Sequence, residues 1–331
     1  MQAFIIRRLL IGVVILFILS IAVFLLLRIV PGDPAKQKCG LNCKAEQIEA
    51  IRHDMGLDKP YFPIEVESGT PFVSFTSDSQ YGSWLGGIFT GDLGTSTVNN
   101  RPVTESIRNR FPVTAELMVL TLILTVIIGI PFGIISAVWK NSPADYAVRL
   151  IAIAGLAVPG FWVATLALIL PFEWWGYAPP IGKFVKLTAD PVGNFKQMIV
   201  PAAVLALGSA AGVMRLTRSS LLETLRQDYM RTARAKGLRE RAVVFRHGMK
   251  NSLIPVVTVL GLQISGLLGG ALIVEQIFTL PGLGDYTVRA LFQKDFEVVQ
   301  TMTLYAGVTV VVLNLLVDIS YAWLDPRIRY S

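Results

Sequence analysis

Charge is in short supply in this sequence: Lys, Arg, Asp and Glu make up 16% of its 331 residues, against roughly a quarter in soluble domains. Histidine and cysteine are scarcer still, with His53, His247, Cys39 and Cys43 as the whole supply. The two histidines fall on opposite sides of the apolar segments that dominate the chain, which argues against a dedicated zinc site. No Gly-x-x-x-x-Gly-Lys-Ser/Thr run occurs, so nucleotide binding is not expected here. Nor do a nucleophile, metal ligands or paired carboxylates converge at one depth, as a membrane-embedded enzyme would require.

What the chain does have is apolar length: 53% of residues are hydrophobic. Six runs hold no Asp, Glu, Lys or Arg, namely Leu9–Leu27, Leu117–Trp139, Leu150–Phe172, Gln197–Met214, Asn251–Val274 and Val298–Val317. Each approaches or exceeds the roughly 18–20 residues that cross hydrocarbon. The expected fold is an all-α polytopic membrane protein with six transmembrane helices. Basic residues collect at Arg7/Arg8, Lys140–Arg149, Arg215–Lys250 and Arg327/Arg329, in alternate loops, which puts those loops and both termini in the cytoplasm. Arg215–Lys250 carries ten basic residues against three acidic ones, a net +7 equal to that of the whole chain. Topology therefore accounts for the basic charge, and no nucleic-acid partner is implied. The first run follows Arg7 and Arg8 without a small-residue cleavage site and reads as an uncleaved signal anchor.

The expected organisation is a signal-anchor helix over 1–30, an extracytoplasmic subdomain over 31–110, a five-helix core over 111–325 with a cytoplasmic loop at 215–252, and a cytoplasmic tail at 326–331. In the external part, Lys44–Met55 has helical spacing with Gly56 as its C-terminal cap and Pro60 as a stop. Tyr61–Gln80 reads as short strands or loop, and Gly91–Ser96 as a turn cluster. Cys39 and Cys43 are close enough to pair in an oxidising compartment, free thiols being the alternative. Pro131 interrupts the second span and Pro159 the third, and Pro255 opens the fifth. Small residues recur four apart at Gly208 and Gly212, and at Gly261, Ser265 and Gly269, with Gly266 and Gly270 beside them. That spacing lets helices approach closely, as static packing or along a path or partner interface. Arg28, Glu116, Glu275 and Asp318 lie near span ends and are expected to snorkel or sit at the interface. Asn314 and Asp318 share a helix face and are placed to bond across to a neighbour.

The loop holds the most distinctive stretch, Asp228-Tyr-Met-Arg-Thr-Ala-Arg-Ala-Lys-Gly237. Asp228 is expected to cap a short helix, Arg231, Arg234 and Lys236 to lie toward its C-terminus, and Gly237 to end it. Ala233 and Ala235 are small enough to seat in a groove of another protein, with Tyr229 and Met230 adding apolar contact. Positive-inside charge alone does not explain this ordered pattern.

Arg231-Thr-Ala-Arg-Ala-Lys-Gly237 resembles the coupling loop of binding-protein-dependent ABC importer permeases, in their dipeptide/oligopeptide/nickel branch. The likeness includes Pro31-Gly-Asp-Pro34, Gly91-Asp-Leu-Gly-Thr-Ser96, Arg215-Leu-Thr-Arg-Ser219, Asn251-Ser-Leu-Ile-Pro255, Leu280-Pro-Gly-Leu-Gly284, Asn314-Leu-Leu-Val-Asp318 and Leu324-Asp-Pro-Arg-Ile-Arg329. The superfamily motif begins Glu-Ala-Ala; here Arg231 and Thr232 stand in the first two places, while Ala233 and Gly237 are kept. Tyr61–Gln80 is longer than expected at that place. The resemblance implies a type I ABC importer permease fold and the first of two permease subunits. It implies a second homologous permease, two cytoplasmic ATPase subunits that use ATP and Mg, and an extracytoplasmic binding protein around a path for peptides. Asp228, Tyr229, Arg231, Thr232, Ala233, Arg234, Ala235, Lys236 and Gly237 would couple to the ATPase. Nickel complexes or oligosaccharides are alternative solutes. An ion-coupled secondary transporter is the rival reading; it would be expected to show internal repeats, broken helices or buried acidic groups, which are weak or missing in the sequence.

Overall fold

The computed structural model describes residues 2–29, 33–39, 43–62, 64–66, 73–75, 78–177, 180 and 182–324. The expected tail at 326–331 and parts of Tyr61–Gln80 lie outside the described residues. Thirteen helices and one two-stranded hairpin are seen among the described residues. Five helices are long and apolar enough to cross a membrane, or six if one bent pair counts as a single span. The described residues fall into two compact units, one of 2–9, 112–285 and 309–324, the other of 10–111 and 286–308.

The first unit contains most of the long helices. Helix α5 (Val103–Val138) contributes its residues from Pro112 onward, and keeps Pro112 and Pro131 within it without ending. Helix α6 (Pro143–Ala157) starts where the Ser142 hydroxyl accepts the Asp145 N–H, with Pro143 preset for the first turn. The expected span Leu150–Phe172 is not one straight helix: α6 gives way at Val158 and Pro159 to α7 (Gly160–Trp175), bent by 103°. Val158 is held extended at φ −87°, ψ 127°, because the residue before proline is driven out of the helical region and proline has no N–H to continue the ladder. Helix α8 (Pro191–Thr224) is capped by Asp190, which accepts from the N–H groups of Val192 and Gly193.

After the short helices α9 (Asp228–Ala235) and α10 (Glu240–Ala242), a π-helical turn at Val243–Gly248 leads into α11 (Met249–Ile277). Pro255 therefore lies inside α11 rather than opening it. Leu117, Ala164, Met198, Ala202, Val274 and Phe278 form one buried cluster of this unit, and Val213, Val256 and Leu260 another. Close helix approach depends on glycine here. A Cβ at Gly133 would lie 2.6 Å from Thr217 Cβ, and one at Gly129 2.6 Å from Val213 Cγ1.

The second unit begins in α1 (Gln2–Ile29) and continues through α2 (Pro34–Cys39), α3 (Ala45–Asp54), the hairpin of β1 (Ile64–Val66) and β2 (Val73–Phe75), and α4 (Gln80–Thr90). The antiparallel strands pair Ile64 with Phe75 and Val66 with Val73, in the segment expected to hold short strands. Gly56, at φ +64°, closes α3 as its position suggests. Cys39 and Cys43 are joined by a disulfide, with Cα atoms 5.8 Å apart. Phe24, fully buried, packs edge-on to Tyr81 and against Phe62 and Trp84. The Gly91–Ser96 turn leads to Asp295, a buried carboxylate that accepts from Ser96 Oγ and from the N–H and hydroxyl of Thr97. Asp295 also precedes α13 (Phe296–Leu324), whose first residues belong to this unit. Helix α12 is Leu283–Phe292.

Candidate functional site

Helix α9 has one face turned inward and the rest turned out. Met230 is fully buried and Ala233 nearly so; both pack on Val243 of the π-helical turn, with Leu225 alongside. A Cβ on Gly248 would come within 3.4 Å of Met230 Cε, so that glycine leaves the space the methionine fills. Asp228, Tyr229, Arg231, Thr232, Arg234, Ala235, Lys236 and Gly237 are all exposed. Ala233 and Met230, expected to meet a partner's groove, are instead what fixes α9 to its own chain.

The ends of α9 follow from local chemistry. Gln227, not Asp228, is the N-cap, and it makes no side-chain cap bond. Asp228 stands one place further on, where its charge still favours the helix dipole, and its side chain is 3.5 Å from Arg231. At the other end the N–H of Gly237 reaches Arg234 O at 2.9 Å, and that of Leu238 reaches Ala233 O at 3.4 Å. These two bonds close a Schellman motif around Gly237, whose φ of +75° a side chain would oppose. Arg234 grips Glu240 through Nη2 and Nε, at 2.9 and 3.1 Å, and its Nη1 reaches Leu225 O at 3.3 Å. This raises the Arg234 guanidinium above its ordinary pKa through the bonds to Glu240. Tyr229 accepts a bond from Asn251 Nδ2 at 3.0 Å. The short helix is thus braced on both flanks while its polar face stays open.

Two buried carboxylates in the same unit hold the long helices together. Asp145 accepts two bonds from Arg218, both at 2.8 Å, one from Ser136 and one from the Asn141 N–H. This fastens α6 to α8 six residues before α8 ends at Thr224. Glu275, expected to snorkel near a span end, is fully buried instead. It accepts from Thr114 Oγ1 at 2.6 Å and from the N–H groups of Gly284 at 2.7 Å and Asp285 at 3.1 Å. Thr114 in turn accepts the Leu283 N–H at 2.8 Å. Gly282 and Gly284 face this carboxylate, and a Cβ at either would collide with it. The glycines of Leu280–Gly284 were the signal that a carboxylate nearby needed their backbone.

The stripes of small residues divide. Gly208 lies under the Gly155 carbonyl, Gly212 against Gln263, Gly261 tightly against Val317 and Gly270 against Leu205. Ser265 bonds Asn314 at 3.0 Å, and Asp318 pairs with Arg8 at 3.2 Å, as their shared face suggested. A Cβ at Gly266 or Gly269 would meet no neighbouring element within 4 Å among the described residues. Among the described residues no group of three or more His, Cys, Asp or Glu is arranged to hold a metal.

Residues 129–330 match the family described as binding-protein-dependent transport system inner membrane component, and residues 1–118 match its N-terminal membrane component domain. The chain belongs to that family and is a multi-pass membrane permease of a transport system. It is 40% identical over 332 residues to the oligopeptide transport system permease protein AppB of Bacillus subtilis (strain 168), each chain covered in full. It is 40% identical over 331 residues to the glutathione transport system permease protein GsiC of Pectobacterium atrosepticum, again with both chains fully covered. A crystal structure of an amino acid ABC transporter with histidines shares the fold at a TM-score of 0.54 and 14% identity, over 66% of this chain and 94% of that one.

Proposed function

We propose that the chain is one of two permease subunits of an ATP-driven importer of di- or oligopeptides in the cell (inner) membrane, with both termini cytoplasmic. Two ATPase subunits bind ATP and Mg, an extracytoplasmic binding protein delivers the solute, and this chain binds neither cofactor itself. The carrying observation is α9, a helix fixed by Met230 and Ala233 with its remaining face free. That face, of Asp228, Tyr229, Arg231, Thr232, Arg234, Ala235, Lys236 and Gly237, docks in a cleft of the ATPase. Closure of the ATPase dimer displaces α9, and α8, three residues upstream, moves with it. Asp145 and Arg218 carry the movement to α6. The solute follows from the peptide and glutathione permeases among the relatives. ATP binding shifts the transporter between inward and outward states only by binding them differently.

The test is uptake of a labelled peptide by proteoliposomes holding all subunits. Gly237→Val is expected to abolish ATP-dependent uptake while membrane insertion is kept. Undiminished uptake by that variant overturns the coupling role. Uptake driven by an ion gradient without ATPase subunits overturns the importer reading.

A further inference from the structure

The second unit contains two adjoining polar cavities, of 280 and 470 Å³, that share Arg28, Met55, Leu57, Gln80, Glu297 and Gln300 in their linings. Together they reach the size of small-molecule sites, roughly 300–1,000 Å³. Some polar groups of the linings are already satisfied: Asp33 pairs with Arg52 at 2.7 Å, and the Gln80 amide donates to Leu57 O and Lys59 O, whereas Arg52 Nε and Trp84 Nε1 have no hydrogen-bond partner among the described residues. On the shared wall Gln300 and Glu297 have polar atoms to satisfy, and Arg28 has donors to spare. The Gln300 side chain is 6% exposed, and its Nε2 has no hydrogen-bond partner among the described residues. Glu297 acts electrostatically on Arg28, yet no hydrogen bond or ion pair to its carboxylate is found among the described residues. Arg28 lies over the Phe24 ring at 3.3 Å and bonds Gln80 Oε1 and Phe24 O, which leaves N–H groups to spare on its five-donor fork. Burial draws the Arg28 guanidinium down to about 10, so it is charged at neutral pH.

A buried donor and a half-buried carboxylate without partners are costly, and such groups mark places where something else completes the bonding. One wall offers both signs: an anion in Glu297, and a cation with an amide N–H in Arg28 and Gln300. Met55, Leu57 and the Tyr61 ring supply apolar surface in the smaller cavity. A lone anion would meet Glu297 unfavourably, and a lone cation would meet Arg28. A molecule with both charges a few bonds apart answers both.

We propose that these joined cavities bind a small zwitterion, a free amino acid or the main chain of a short peptide. Its ammonium group sits on Glu297 and its carboxylate on Arg28 and the Gln300 amide. The site is built from the second unit alone and stands whatever solute the importer carries. The experiment is isothermal titration of the full chain in lipid nanodiscs with alanyl-alanine, N-acetyl-alanyl-alanine and alanyl-alanine amide. Saturable binding of alanyl-alanine is expected, weakened about tenfold or more by blocking either end, the scale of leaving one charged hydrogen-bonding group unpaired. Glu297→Gln is expected to weaken alanyl-alanine to the same degree, with little further loss for the acetylated peptide. Gln300→Leu is expected to weaken the peptides that keep a free carboxylate more than the amide. Absence of heat with all three peptides on the native chain overturns the site, and so does equal binding of all three.

Discussion

Asp145 and Glu275 are both wholly buried carboxylates in one unit, yet they are held by opposite means. Asp145 faces a guanidinium in bidentate contact, with a hydroxyl and an N–H completing its shell. Among the described residues no cation bonds Glu275: a threonine hydroxyl and two backbone N–H groups at the start of α12 hold it. The first is a bond between side chains of two helices, and either partner can be replaced by mutation. The second is a bond to the backbone itself, so the sequence must keep the chain close by means of Gly282 and Gly284. Charge in the one is balanced by charge, in the other by aligned dipoles at a helix start.

Breaking the Asp145 site is expected to have the largest effect. Arg218→Leu strands a buried carboxylate, and loss of one partner of a buried pair costs about 3–5 kcal/mol, read as a fall in the thermal unfolding midpoint of the solubilised chain. Replacing both residues, Asp145→Leu with Arg218→Met, is expected to recover most of that loss, since an apolar pair of similar volume often matches a buried ion pair. A double variant as unstable as Arg218→Leu would show that the ion pair is not the relevant contact.

At Glu275 the expected effects are smaller. Gly284→Ala places a Cβ 2.6 Å from Leu272 Cα as well as near the carboxylate, and overpacking of this kind costs about 1–3 kcal/mol. Glu275→Gln keeps the shape but turns an N–H₂ toward donors, with an expected loss of about 1–2 kcal/mol. Should Glu275→Gln exceed Arg218→Leu, the contrast between the two sites fails. Smallest of all is Asp228→Ala: with its side chain 96% exposed, it is expected to leave the unfolding midpoint unchanged, and any effect on ATP-dependent uptake then reports on docking.

What could be read from the sequence follows the range of the interactions. Spans were legible because hydrocarbon thickness sets their length, and the ends of α3 and α9 because Gly56 and Gly237 act within a turn. The break at Pro159 was visible as a proline, though its 103° bend was not, since the angle depends on what each half packs against. Glu275 was misplaced because its partner Thr114 is 161 residues away, and only folding shows that the two meet. Gly129 and Gly133 have the same four-residue spacing as the stripes that were noticed, and they make tighter contacts than Gly266 or Gly269. Spacing marks candidates for close approach; which of them are used is decided by the neighbouring helix. The inward turn of Ala233 was hidden for the same reason, because a small residue suits a partner's groove and its own chain's equally well.

The elbow at Pro159 parts α6 from α7. Its arms hold 15 and 16 residues, about 22–24 Å each at 1.5 Å per residue, so neither alone crosses a hydrocarbon layer of about 30 Å. Beside the joint lies a 250 Å³ hollow bordered by Gly155, Val158, Gly160, Gly208 and Gly270. Slack next to a crank lets it swing without prising close-fitted neighbours apart, and bulk introduced at Gly208 would jam it like a pebble in a hinge.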